Sequence, residues 1–529
     1  MKSYSLYIIA LLLVFSACVE DLNVEPSDPQ TFLSDDFFSS PESYRQALAG
    51  VYSNLAITGT AGAGSSFIAG LDAGTSQYGR GLWNLQELPT DEVIWTWEND
   101  PGTRELNRSI WSSNNLLIRG IFGRALVSVA FANEYLRQTS EGALDARGVS
   151  ADLRTDIATY RVEARFIRAL AYYHMMDLFG KAPFVTENDV VGGYQAPEYS
   201  RAELFSFIES ELLEIAPQMV APLQNEYARA DQAAAWMLLA KIYLNAEVYT
   251  GQARYNDCLT YCEQIINAGF QLSPNYLNLF KADNDEGAAR QEIIFPLVSD
   301  GIVTQNFGPT TLMINGQIGF PEENGASFGV NPSGWGGALR VTDAFSETFL
   351  NGNYDNDARN TLITTDRLLE IPDISDRQAG YIVGKFSNLT STGQPGSSRD
   401  LVDTDFPLFR LADIYLMYAE AHLRGGGGTL SSAVGYINAL RERAGNPVRI
   451  TEGDLDLDLI IDERLVELYW EAHRRQDLIR FDLFTGGSYL WSWKGNAPNG
   501  IPLPDYRQLY PIPGPSLSAN PNLNQNPGY

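Results

Sequence analysis

Apolar residues recur three and four positions apart over several long stretches of this chain, the spacing of helices that bury one face. The clearest is 155–179. Ile157, Ala164, Ile167, Ala171, Met175 and Leu178 line one side, and Arg161, Arg165 and Arg168 line another. Gly180 ends it and Pro183 follows, a sequence stop signal. Pro41 opens an earlier helix running to about Leu55, with Ser40 as its N-cap. Stretches 107–137, 201–216 and 255–268 carry the same period. The segment from Met237 to Leu244 can be set on that from Met417 to Leu423, with Ala240 on Ala419, Leu244 on Leu423, Tyr255 on Val434 and Tyr261 on Leu440. Each then reads as helix, break, helix, the pattern of tetratricopeptide-type hairpins with a period of about 34 residues. Small residues that let helices approach closely would also produce this likeness.

Elsewhere the period is lost. Residues 57–82 are rich in Gly, Ala and Ser and read as a long loop. Residues 282–409 are rich in Gly, Asn, Asp, Pro and Thr, with short apolar runs such as Ile293 to Val298, and read as loops with a few short strands and helices. Residues 485–529 are irregular as well. Long loops of this kind in a compact protein are usually functional. The pattern is a helical scaffold carrying irregular excursions, which suits a binding protein better than a compact enzyme.

The N-terminus carries a different signal. Leu6 to Phe15 is an almost continuous apolar run, too short to span a bilayer, and Ser16, Ala17 and Cys18 follow it. A cysteine after small residues resembles the bacterial lipoprotein box, with Phe15 where Leu is usual. The expectation is a signal peptide over 1–17, acylation of Cys18, and a lipidated polar tether over 18–38. Glu20 and Asp21 resemble an export signal for the cell surface. No later stretch reaches about 18 consecutive apolar residues.

Composition narrows the function. There are 65 Asp plus Glu against 37 Lys plus Arg, a net charge of −28, so the chain repels phosphate backbones and nucleic acid is excluded as a general partner. Three His and three Cys leave little for a metal centre, a catalytic triad or a disulfide framework. Cys258 and Cys262 fall on one helix face and read as buried small hydrophobes.

Several motifs together are specific. They are Glu163-Ala-Arg-Phe-Ile-Arg-Ala169, Tyr172-Tyr-His-Met-Met-Asp-Leu-Phe-Gly-Lys-Ala-Pro183, Phe406-Pro-Leu-Phe-Arg-Leu-Ala-Asp-Ile-Tyr-Leu-Met-Tyr-Ala-Glu-Ala421, Tyr436-Ile-Asn-Ala-Leu-Arg-Glu-Arg-Ala444, Asp462-Glu-Arg-Leu-Val-Glu-Leu468, His473-Arg-Arg-Gln-Asp-Leu-Ile-Arg-Phe481 and Asn526-Pro-Gly-Tyr529. In this order, over nearly the whole mature chain, they resemble the SusD/RagB family of outer-membrane nutrient-binding lipoproteins. The resemblance implies a mainly α fold, with about four tetratricopeptide-like hairpins supporting a large loop-rich ligand-binding region with a few short strands. It implies one SusD-like domain over 39–529, with scaffold mainly at 155–270 and 406–482 and binding region mainly at 57–106 and 282–405. It also implies a surface-exposed, lipid-anchored protein of the outer membrane that binds an oligosaccharide, hands it to a SusC-like TonB-dependent transporter, catalyses nothing and needs no cofactor. A RagB-like peptide binder, a tetratricopeptide scaffold without a small ligand, and a secreted glycoside hydrolase are the alternatives.

Sugar recognition calls for aromatic faces beside planar polar groups. Trp83, Asp91, Trp95 and Trp97 are therefore candidate ligand contacts, and Trp95 and Trp97 face the same way if their segment is extended. Packing on the 107–137 helix is the competing role for these tryptophans. Asp72 in the Gly-rich loop, and Trp335 and Arg340 in Gly334-Trp-Gly-Gly-Ala-Leu-Arg-Val-Thr342, complete the set. Trp491 and Trp493 read as a hydrophobic clamp. Glu463, Glu467 and Glu471 share a helix face, which raises the carboxylate pair of glycoside hydrolysis. Arg464, Arg474 and Arg475 nearby make an ion-pair network the simpler reading. The acidic runs 283–287 and 353–357 lack the full calcium-loop pattern.

Overall fold

The computed structural model describes residues 34–190, 192–319 and 324–529. The signal peptide, Cys18 and most of the 18–38 tether lie outside the described residues.

The long helices are α1 (Pro41–Ala56), α2 (Tyr78–Glu87), α3 (Leu116–Gln138), α4 (Ala151–Phe179), α5 (Arg201–Ile215), α6 (Gln232–Leu244), α7 (Tyr255–Ile266), α8 (Leu411–Leu423), α9 (Leu430–Arg443), α10 (Leu457–Leu468) and the shorter α11 (Arg474–Arg480). From α3 to α8 each helix packs on the next, and α8 then packs on both α9 and α10. This row of helical hairpins is the tetratricopeptide-like scaffold the period predicts. Its ends are set by local chemistry. Ser150 accepts from Leu153 N at the start of α4, and Gly180, at φ 68°, closes it where a side chain would be strained. Ser200 and Glu203 form a reciprocal capping box on α5.

Two helices differ from expectation. The 107–137 stretch becomes helical only from Leu116, where Asn115 accepts from Leu117 and Ile118 N. The loop expected over 57–82 ends early, because Gln77 accepts from Arg80 N and starts α2. The glycines of the Ala73–Ser76 turn and of the start of α2 continue the composition of the preceding loop, yet Gly81 lets α2 approach Ile121 of α3 closely. α3 is long and apolar enough to cross a membrane by composition alone, but Ile118, Ile121, Phe122, Val129 and Ala132 are buried in the core. The arginine side of α4 is a seam rather than a free face. Arg165 and Arg168 grip Glu211 of α5 at 2.8 and 2.7 Å, and Arg161 donates to Leu136 O at 2.7 Å.

The row is interrupted once. After α7 the chain leaves on a long excursion and returns at α8, which packs directly on α7. The short strands are β1 (Ile94–Trp95), β2 (Ile293–Leu297), β3 (Leu339–Arg340) and β4 (Phe406–Arg410). β2 and β4 pair antiparallel and close the base of the excursion. β1 and β3 pair antiparallel, Ile94 opposite Arg340 and Trp95 opposite Leu339, and join the excursion to the N-terminal segment.

A buried ion cluster locks the excursion to α10. Five cations, Arg359, Lys385, Arg410, Arg441 and Arg443, face five carboxylates, Glu292, Asp357, Glu463, Glu467 and Glu471. Charge balances, and every one of these side chains is almost completely buried. The network expected at the three glutamates is therefore present, but its partners are not the neighbouring arginines. Arg464 pairs with Asp413 and Asp477, Arg474 with Asp91 and Arg475 with Asp177. The acidic runs also spend oxygens on the protein: Asp283 accepts from Ser391 and Asp357 pairs with Arg359. Cys258 and Cys262 are buried, their sulfurs 3.9 Å apart.

Candidate functional site

The paired strands β1 and β3 bring two tryptophan segments together. Thr96 N donates to Ala338 O at 2.6 Å, continuing the pairing towards Trp97. Opposite it runs Gly334-Trp335-Gly336-Gly337, whose three glycines all have positive φ, 45°, 74° and 67°. That backbone is open to glycine alone at little cost. The turn is pinned by Trp335 N to Asn315 O at 2.9 Å and Gly337 N to Ile318 O at 2.8 Å. A Cβ on Gly336 would lie 3.5 Å from the Trp97 ring and 3.3 Å from Arg377 Nη1. Trp97 and Trp335 thus flank one glycine turn, and both are half-buried, with part of each ring open. Phe307 supports Trp335, ring centres 6.3 Å apart.

A polar row borders this platform. Arg80, on α2, lies 5.5 Å over the Trp95 ring. Burial brings its guanidinium down to about 10, opposed by Asp72 and Asp100. Asp72 is exposed and caps the Ala73–Ser76 turn through Thr75 N at 3.0 Å and the Thr75 hydroxyl. Burial would raise its carboxyl, but those Thr75 bonds and Arg80 hold it below the usual value. Asp100 is raised by burial, against the pull of Arg80 and the Trp95 indole. The Trp97 indole N–H is buried and has no acceptor among the described residues. The result is a pair of partly buried indoles with Asp100 beside Trp97 and, one ring further along over Trp95, Arg80 with Asp72, groups suited to a ligand with an apolar face and several hydroxyls.

Of the seven expected contacts, the structure brings Trp97 and Trp335 together at the glycine turn and leaves Asp72 exposed, linked to it through Arg80. The other four are interior. Trp83 sits on α2, fully buried, its Nε1 donating to Trp470 O at 3.2 Å. Asp91 is held by the Arg474 fork at 2.8 and 2.6 Å and by the Tyr489 hydroxyl at 2.7 Å. Trp95 is 3% exposed, edge-on to Trp97 with centroids 6.4 Å apart, so the two do not form one shelf. Arg340 is fully buried and donates to the carbonyls of Ile374, Asp376 and Ala379, stapling the 371–380 loop behind the platform. Trp491 and Trp493 are buried, the clamp they were read as; Trp493 packs with Ile94, Ile371 and Ile374. Arg80 and Asp100 were not anticipated. Their only signal was position: Arg80 lies between two glycines, and Asp100 follows Trp97 by three residues.

The helical row thus carries, on loops joined by the β1–β3 pair, an aromatic surface at Trp97 and Trp335. Comparison with known proteins makes the class definite. A model of the SusD family matches residues 372–529. The starch-binding protein SusD of Bacteroides thetaiotaomicron is 35% identical, over 99% of this chain and 98% of that protein. SusD-like protein P2 of Formosa agariphila is 26% identical over the whole of both. This chain belongs to the SusD family. Among solved structures, a SusD superfamily protein from Bacteroides thetaiotaomicron superposes with a TM-score of 0.70 over 92% of this chain and 100% of that one, at 20% identity. Surface glycan-binding protein A from the same organism, solved with laminarihexaose, superposes with a TM-score of 0.68 over 92% and 99%, at 19% identity. These two likenesses concern the fold.

Proposed function

We propose that this protein is a non-catalytic, glycan-binding lipoprotein of the outer cell surface, which captures oligosaccharides on the Trp97–Trp335 platform and passes them to a SusC-like TonB-dependent transporter. The observation that carries this reading is the pair of half-exposed tryptophans around the glycine turn, bordered by Asp72, Arg80 and Asp100. Sugar C–H faces stack on the indoles, and the polar row fixes hydroxyls by charge-assisted hydrogen bonds. The ligand classes of two similar proteins support it: one is a starch-binding protein and another was solved with laminarihexaose. Trp83, Asp91, Trp95 and Arg340 act behind the surface by holding its strands. In the same reading residues 1–17 are removed, Cys18 is acylated, 18–38 is the tether and 39–529 is one domain.

Affinity electrophoresis in soluble starch, with calorimetry on maltoheptaose, laminarihexaose and a short peptide, tests the reading. Retardation by a glycan that is lost in Trp97→Ala/Trp335→Ala, with the melting temperature kept, supports it. Release of reducing ends would sink the non-catalytic claim, and binding of the peptide alone would move the ligand class. Loss of membrane association in Cys18→Ala tests the anchor.

A further inference from the structure

The segment that carries the platform strand is tied to the scaffold by an unusual group of acids. Glu87 ends α2 and Glu92 precedes β1; they are 0% and 2% exposed. Glu92 accepts from Trp470 N at 2.8 Å, and Glu87 accepts from His473 N at 3.0 Å. Both hold one tight turn, in which Trp470 and Ala472 have φ of 63° and 64°. Such angles strain residues with side chains, so the turn needs partners that enforce it.

Charge around the pair does not balance. Asp91 lies between the two glutamates in sequence and takes both arms of the Arg474 fork and the Tyr489 hydroxyl. Lys494 acts on Asp91 from further off, and Asp462 is a further acid facing Arg474. Tyr469, Glu471 and His473 are the other titratable groups on the facing turn; Glu471 is paired with Lys385 and Arg410, and His473 is held neutral by burial, with Lys241 adding to it and Asp413 opposing. Among the described residues no cation makes an ion pair with Glu87 or Glu92; Arg474, held by Asp91, acts on Glu92 from beside it. Glu87 Oε2 is buried with no hydrogen-bond donor among the described residues, and Glu92 is its neighbour. A buried carboxylate without a counter-charge keeps its proton.

We propose that Glu87 and Glu92 share one proton, forming a clasp that positions the platform strand against the 469–474 turn and loosens when that proton is lost. Glu87 and Glu92 are positioning residues and touch no ligand. The clasp itself stands on burial and charge; its effect on glycan affinity rests on the proposed function. Glu92 is pushed up to about 7 by burial, against Arg474. A carboxyl raised in the fold stabilises most at low pH, and that contribution fades as pH climbs from about 4.5 towards 7.

The test is the melting temperature of the mature chain from pH 5 to 8.5, beside that of Glu92→Gln. Asp405 is also raised to about 7 by burial, so the readout is the difference between the two profiles. The expected result is a fall in the parent that is smaller in Glu92→Gln, whose amide keeps one donor and one acceptor at every pH. Starch retention should weaken at pH 8.5 relative to pH 6 in the parent and much less in the variant. Parallel melting profiles overturn the clasp. Should Glu92→Gln fail to fold, Glu87→Gln is measured the same way, and failure of both to fold at pH 6 also overturns it. If the profiles diverge but no glycan binds at any pH, the clasp stands and the glycan reading falls.

Discussion

Arg410→Met is the sharpest test of how the excursion is held. Arg410 ends β4 at the base of the excursion and is 1% exposed. It donates to Glu471 at 2.6 and 2.7 Å, to Glu467 Oε1 at 2.7 Å, to Glu292 at 3.0 Å and to Glu467 O at 2.8 Å. Methionine fills much of the volume but leaves the cluster with five carboxylates and four cations. Glu467 would keep Arg443 and Arg359, and Glu471 would keep Lys385, so each retains one partner or more. Breaking a buried pair on one side costs about 3–5 kcal/mol, and the remaining partners favour the lower end, about 3 kcal/mol. That is a large part of the about 5–15 kcal/mol by which domains are stable. The assay is urea unfolding followed by tryptophan fluorescence, with refolding checked. Arg45→Met is the control, because Arg45 and Glu226 form an ion pair with both side chains more than half exposed, worth about 0–1 kcal/mol. Equal midpoints for the two variants would refute the argument that the cluster holds the excursion.

Other outcomes are as specific. Trp97→Ala alone should weaken glycan retention with little change in stability, whereas Trp95→Ala should lower the urea midpoint by about 3 kcal/mol or more in stability, because its ring is buried; the reverse order would undo the division between surface and support. Gly336→Ala, at φ 74° and with Arg377 and Trp97 at the added methyl, should cost about 1 kcal/mol or more and reduce glycan affinity, read by melting and calorimetry together. His174, bonded to the Tyr78 hydroxyl at 2.7 Å, is brought down to about 3 by burial. Its neutral form is the folded one, so stability is whole above about 6.5 and is lost as pH falls below that, by about 2 kcal/mol at pH 5. His174→Gln should melt with a shallower acid dependence.

The scaffold was legible because helices announce themselves by period and by their ends: Gly180 closes α4, and Ser40 with Pro41 marks the start of α1, although the Ser40 side chain makes no capping bond. The start of helix α2 was hidden because Gly79 and Gly81, which serve close packing, continue the glycine-rich composition of the loop before it. Trp83 and Arg340 show the limit at the site. A tryptophan among polar residues in sequence looks available, but α2 turns Trp83 inward onto Trp470, and the 374–379 carbonyls take two bonds from Arg340 Nη1 and one from Nη2. Which tryptophan stays open is decided by the β1–β3 pairing, a contact between residues far apart in the chain. The ion partners of Glu467 were illegible for the same reason: Arg359, Arg410 and Arg443 are distant in sequence, while its sequence neighbours point elsewhere.

Because α8 packs on α7 and β2 pairs with β4, the excursion leaves and rejoins the scaffold at nearly one point. Closing a loop of roughly 140 residues costs little more than closing a shorter one, about 0.6 kcal/mol for each doubling of length. Insertions at its exposed stretches, away from Glu292, Asp357, Arg359 and Lys385, therefore add little closure cost to the helical row. The same geometry separates near from distant contacts: α3–α7 and α8–α10 each pack among sequence neighbours, and α8 meets α7 only where the two ends of the excursion come together. Freedom to vary the excursion is thus confined by one long-range closure between the two halves.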